Sequence, residues 1–196
     1  MAQTSTTLIS ARSHITSITG TDISLSATAG VYTISATSTV LTGAGKLAVG
    51  DLITVSGSAS NNSTFTVSTV VSTTELTVAQ VVSSENADGS STITLDHVGF
   101  VSDKAKGDGY YSQPDGVHTV AYQVANDFNA NATIKMQGTL ATTPTEDDWF
   151  DITNTTFTAD GSTVTSSYNF TGNYVWVRSK TQSLTAGTTN SILLNS

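Results

Sequence analysis

"DLITVSGSASNNSTFTVSTVVSTTELTV", residues 51–78, decides the fold class. Ile53 and Val55 fall on one face of an extended segment, as do Phe65 and Val67, and then Leu76 and Val78. A two-residue period is that of a strand, whose successive side chains point to opposite faces of a sheet. "GSASNNS" and "VSTT" separate the three runs, and their Gly, Asn and Ser bend a chain readily. Short alternating runs joined by such turns predict antiparallel strands.

The same pattern continues on both sides. "TDISLSA" and "VYTISATS" upstream read as two further strands, and "STITLD" downstream adds Ile93 and Leu95 after the turn "NADGSS". Residues 20–97 are therefore predicted to form a small antiparallel barrel or sandwich. In "HVGFVSDKAKGDGYYSQPDG", residues 97–116, the alternation stops. That stretch carries four glycines, one of the two prolines and two of the seven basic residues, so residues 98–116 are predicted to connect two modules. From residue 117 the alternation returns. Val120, Tyr122 and Val124 share a face, as do Ile134 with Met136 and Tyr168 with Phe170. "GNYVWVRSK" sets Val175 and Val177 against Tyr174, Trp176 and Arg178 on its other face, and "NSILLNS" closes the chain. Residues 117–196 are predicted as a jelly-roll-like β-sandwich. Helical periodicity is nearly absent. The expected fold is all-β, with two small antiparallel modules.

Residues 1–19 have no core of their own. Their main apolar residues are Leu8, Ile9, Ile15 and Ile18, in "TLIS" and "HITSI". Ordering such a segment costs roughly 1–2 kcal/mol per residue in backbone entropy, so something must hold it. The expectation is an extended N-terminal arm that adds a strand to a neighbouring chain, with those four residues as contacts. Folding back onto its own barrel is the alternative.

Composition narrows the function classes. Seven Lys and Arg stand against 15 Asp and Glu, a net charge of −8, and no Lys or Arg lies between Lys46 and Lys104 or between Lys135 and Arg178. Binding a phosphate backbone needs clustered cations, so a nucleic-acid partner is not expected, nor is docking on an anionic membrane. Mean hydropathy is −0.01 although only 11% of residues are charged, because Ser and Thr make up roughly a third of the chain. Such a surface suits extracellular and virion β-proteins better than metabolic enzymes. Cysteine is absent, which removes disulfides, zinc–thiolate sites and thiol nucleophiles. "MAQTSTTLISARSH" has neither a basic n-region nor an apolar core, so no signal peptide is expected there.

The densest chemistry lies in "ATTPTEDDWFDITN", residues 141–154. Glu146, Asp147, Asp148 and Asp151 could be a carboxylate site, a calcium loop or a solvated turn. Glycoside hydrolysis needs two carboxyls facing each other across a bond, which one loop tip supplies poorly. Calcium accepts several oxygens from one loop, yet the D-x-D-x-D-G spacing is missing. The preferred reading is a structural corner, with hydrated carboxylates at its tip and Trp149 or Phe150 plugging the core. His14, His97 and His118 are far apart in sequence and no GxSxG elbow exists, so no catalytic triad is expected. Arg178 is expected to stack on an aromatic ring of its strand face. "KGD" at 106–108 matches an integrin-type tripeptide, but three residues recur by chance. Tyr110 and Tyr111 are the stronger candidates for contacting a partner, because aromatics are enriched in interface cores.

The second half also resembles a known kind of module. Gly138-Thr139-Leu140, a short polar loop, Trp149-Phe150, the strand Gly172 to Arg178, and the turn Thr185-Ala186-Gly187 look like a β-sandwich of tailed-bacteriophage virion proteins, marine and cyanobacterial phages in particular. "VGDLITVSGSASNNSTFTVSTVVSTTELTV" is similar to small β-barrel modules of phage structural proteins. The resemblance implies a non-enzymatic component of a phage particle, made in the host cytoplasm and located in the virion. An accessory protein decorating the capsid is the first expectation. The alternatives are a neck or tail component, or a receptor- or glycan-binding module of a tail fibre. Expected partners are other virion proteins and copies of itself, with no cofactor or metal.

Overall fold

The computed structural model describes residues 5–113 and 116–195. Residues 1–4, 114–115 and 196, which fall in the expected arm, connection and sandwich, lie outside the described residues. The chain is all-β, and its sheets are antiparallel. It divides into two compact units, one made of residues 15–100 and the other of the residues up to 14 together with 101–196.

The N-terminal strands β1 (Ser5–Ile9) and β2 (Arg12–Ser13) belong to the second of these. The unit of residues 15–100 holds β3 (Ile18–Gly20), β4 (Ile23–Thr28), β5 (Val31–Ala36), β6 (Asp51–Ser56), β7 (Thr64–Ser72), β8 (Glu75–Val78) and β9 (Ile93–Val101). They pair in the order β3-β9-β6-β7-β8-β5-β4. The two end strands are consecutive in the chain, and all seven enclose one core. Every residue that set the alternation (Ile53, Val55, Phe65, Val67, Leu76, Val78, Ile93 and Leu95) is buried there, with Ile23, Leu25 and Ile34 from β4 and β5. Register shifts within the β7–β8 pairing let the long strand β7 bend from β6 towards β8.

Polar side chains hold the irregular parts of this unit. The Asp22 carboxylate accepts hydrogen bonds from the backbone N–H groups of Ser38 and Thr39 and from the hydroxyls of Thr37, Ser38 and Thr39, which fixes the loop after β5. Glu85 binds the Ser58 hydroxyl at 2.5 Å and the Ala59 N–H at 2.9 Å. His97 and Asp51 are fully buried, with Nε2 and Oδ1 3.1 Å apart. Because Nδ1 of His97 accepts from the Ile15 N–H, the ring proton sits on Nε2 and points at Asp51.

The other unit is a sandwich. One sheet has the order β1-β17-β11-β15, with β11 at Val117–Val124, β15 at Thr165–Thr171 and β17 at Thr188–Asn195; β2 also pairs with β17. In the other, β12 (Thr133–Thr139) lies between β16 (Trp176–Gln182) and the short strands β13 (Phe150–Asp151) and β14 (Phe157–Thr158), and β10 (Ala105–Lys106) adds to β16. Val120, Tyr122 and Val124, with Ile192 and Leu194 beside them on β17, face Ile134, Met136 and Val177 in a fully buried core. Burial raises the pKa of the Tyr122 phenol, whose hydroxyl donates to the Thr155 carbonyl at 2.8 Å.

Two sequence-based boundaries are corrected. Residues 1–19 do not form a free arm, because β1 pairs antiparallel with β17 of the same chain and buries Ile9 in its own sandwich. The segment past His14 then enters the other unit, where Ile18 is buried and Ile15 packs against the core. Residues 98–116 are not a plain connection either. Phe100 ends one unit, and the stretch from Val101 onward is built into the sandwich: Ser102 exchanges hydrogen bonds with Ser179, and the Gly107 N–H donates to the Val175 carbonyl.

Candidate interaction surface

The edge of the sandwich where β10 meets β16 carries the densest exposed aromatic group. A 3-10 helix, Asp108–Tyr111, follows β10 and presents Tyr110 and Tyr111, 43% and 55% exposed. Their rings meet edge to face at 5.2 Å, and Tyr110 lies 4.8 Å from the ring of Trp176 on β16. Lys104 places its ammonium 4.4 Å from the Trp176 ring, and Lys106 lies 4.1 Å from the Tyr110 ring. Each lysine is exposed at the rim of an aromatic face, an arrangement worth about 0.5–1 kcal/mol at such sites. The Trp176 indole N–H donates to the Thr142 carbonyl at 3.0 Å, which ties the loop after β12 to this edge.

Several contacts fix the loop that carries the tyrosines. Asp108 accepts the Gly116 N–H at 2.6 Å and lies 3.2 Å from Nε2 of buried His118, whose ring stacks on Phe170. The Gly109 N–H donates to the Tyr174 carbonyl. Tyr174 itself is received by two glycines: a Cβ at Gly138 or Gly172 would lie 2.6 or 2.4 Å from its ring atoms, so no side chain fits there. The tripeptide at 106–108 is thus spent internally, with Lys106 over Tyr110, Gly107 buried against β16 and Asp108 holding Gly116.

The acidic stretch is a corner built on Arg178. Nη1 and Nη2 of Arg178 donate to the two Glu146 oxygens at 2.8 Å each, and Nε donates to Gln137 at 3.0 Å. Trp149 covers this guanidinium at 4.3 Å, while Phe150 is exposed beside Tyr174. Neither aromatic plugs the core, contrary to the sequence expectation; Ile152 and Phe157 do so instead. The reason is that a buried guanidinium needs a planar cover as well as a carboxylate. The carboxylates are also less idle than a hydrated tip implies. Asp148 accepts from the N–H and hydroxyl of Thr145, and those bonds lower its pKa. Burial pushes the Asp151 pKa up, but hydrogen bonds from Lys135 and Gln137 outweigh it and leave the carboxyl below its ordinary range. Among the described residues no group of His, Asp or Glu is arranged to hold a metal ion.

No protein family, curated protein or solved structure matches this chain.

Of the six expected contact residues, the structure brings together only Tyr110 and Tyr111. Leu8 is half-buried and Ile9 buried within the β1–β17 edge, whereas Ile15 and Ile18 pack in the other unit. Sequence reasoning missed Lys104, Lys106 and Trp176 as members of the same surface. The available signal was "KAKGDGYY", which sets two of the seven basic residues next to paired tyrosines.

Proposed function

We propose that the chain is a non-enzymatic structural component of a tailed-phage particle, an accessory protein decorating the capsid in many copies. The observation that carries this reading is the fate of the residues that resemble phage modules. Gly138 and Gly172 seat Tyr174, Trp149 covers Arg178, and Trp176 joins the exposed Tyr110–Tyr111 edge. Those motifs therefore build a rigid sandwich and one sticky edge. Glu146 is bound to Arg178, Asp148 to Thr145, and Asp151 to Lys135 and Gln137, so these carboxylates serve the corner itself. An exposed aromatic edge rimmed by lysines suits a contact with another virion protein, since Tyr and Trp supply large contact area at low entropic cost.

A glycan-binding module of a tail fibre is the second reading, favoured by the exposure of Tyr110 and Tyr111. Against it, Lys104 and Lys106 lie over the Trp176 and Tyr110 rings on which a sugar would stack. A neck or tail position is the remaining alternative. Immunogold labelling of purified particles of the phage that encodes the chain separates them. The proposal expects label distributed over the capsid. Label confined to neck, tail or fibre selects an alternative, and unlabelled particles overturn the virion reading.

A further inference from the structure

We infer that the β15 edge of the sandwich pairs with the same edge of a second copy of this chain, forming an antiparallel two-fold dimer. β15 ends its sheet and pairs with β11 in an unbroken register from Val117↔Thr171 to Gln123↔Thr165. The Val124 N–H donates to the Val164 carbonyl, which continues this register. In an antiparallel ladder bonded and non-bonded pairs alternate, so Ser166, Tyr168 and Phe170 aim their backbone groups at β11. Thr165, Ser167, Asn169 and Thr171 aim theirs away from it, and their side chains are exposed. Apart from the Thr171 carbonyl, which accepts the Tyr174 hydroxyl at 3.4 Å, these outward backbone groups have no hydrogen-bond partner among the described residues.

The devices that normally blunt an edge are missing from β15. It has no proline, no lysine and no bulge. The end strand of the other unit shows the contrast: β4 is covered by a backbone pair between Leu25 and Glu85 and by the Ser84 hydroxyl on the Ala27 N–H. Charge selects a second copy as the occupant. Each chain carries −8, so two copies repel through most of their surfaces, yet no charged residue occurs from Gly161 to Val177. Along β15, two copies can therefore meet without opposing carboxylates. A basic partner would find no charge on this edge to hold it. In the symmetric register Thr165 lies opposite Thr171 and Ser167 opposite Asn169, so the outward groups satisfy one another about the axis.

This inference concerns a different surface from the aromatic edge and does not depend on the virion reading. Sedimentation velocity of the full chain tests it, with Ser167→Pro and Ser167→Lys as variants. Proline at 167 removes only an outward N–H, and lysine there adds a charge to the edge. The expected result is a concentration-dependent dimer weakened at least about tenfold in both variants, with unchanged circular dichroism. If the proline variant fails to fold, the lysine variant carries the test. A wild-type chain that stays monomeric at about 100 μM, a trimer or larger ring, or a dimer unaffected by the folded variants would overturn the inference. A monomer would leave the virion proposal standing.

Discussion

Arg178 and Glu146 form a two-pronged ion pair, with Nη1 and Nη2 each 2.8 Å from a carboxylate oxygen, beneath the ring of Trp149. Arg178 is buried while Glu146 is partly exposed, so removing the carboxylate strands a cation away from water. Glu146→Ala is expected to destabilise the sandwich by about 2–3 kcal/mol in urea unfolding. Because the pair satisfies these oxygens without an ion, chelator should leave the melting temperature of the wild-type protein unchanged. A loss under 0.5 kcal/mol, on the order expected for surface pairs, would mean that the corner is as solvated as a plain acidic turn.

The buried His97–Asp51 contact should matter to the other unit in the same way. Asp51→Ala leaves the His97 Nε2–H without its acceptor and removes the carboxylate that also receives the Ala48 N–H. The expected cost is about 3 kcal/mol, and His97→Ala should cost a similar amount. A double variant no worse than either single one would show that the two side chains act as a pair.

β1 predicts a stability effect where the sequence alone suggested an assembly effect. Ile9 is 7% exposed and lies opposite Ile192 in the β1–β17 ladder. Ile9→Ala is expected to cost about 2–4 kcal/mol in the isolated protein. Unchanged melting after deletion of residues 2–13 would contradict the pairing.

Acid stability follows from the loop carboxylates. Hydrogen bonds hold Asp22, Asp88 and Asp160 well below the ordinary carboxylate range, and the Ser58 hydroxyl and Ala59 N–H lower Glu85. A carboxyl whose folded pKa lies below its unfolded value binds fewer protons when folded. Its contribution is therefore complete above the unfolded value and is lost as pH falls through the folded one. The melting temperature should hold from neutral pH to about pH 5 and fall below about pH 4, with a shallower fall in Asp22→Asn. A main loss between pH 7 and 5 would point to histidines instead.

Strand positions and core faces were legible because period-2 alternation is a local property. Ile53, Phe65, Leu76, Val120 and Met136 all face the side that their neighbours in sequence require. Pairing between distant segments was not legible. Nothing in "TLIS" distinguishes an edge of its own sheet from an edge of another chain, and the β1–β17 pairing joins opposite ends of the sequence. The candidate surface was half legible for a similar reason. Tyr110 and Tyr111 stand together in sequence, whereas Trp176 reaches them only because β10 pairs with β16. Arg178 does stack on an aromatic ring, but the ring is Trp149 from the loop before β13 and not one on its own strand, a pairing between distant segments that the local pattern does not show.

The most direct test of the central claim is occupancy of Tyr110→Ser/Tyr111→Ser in particles. Both side chains are exposed, so the double variant should fold and melt like the wild type. The account predicts that wild-type protein is present in purified particles in many copies, and that the folded double variant is depleted at least about tenfold, as expected for loss of an aromatic hot spot. Wild-type occupancy by the double variant, or absence of the wild-type chain from particles, would contradict it.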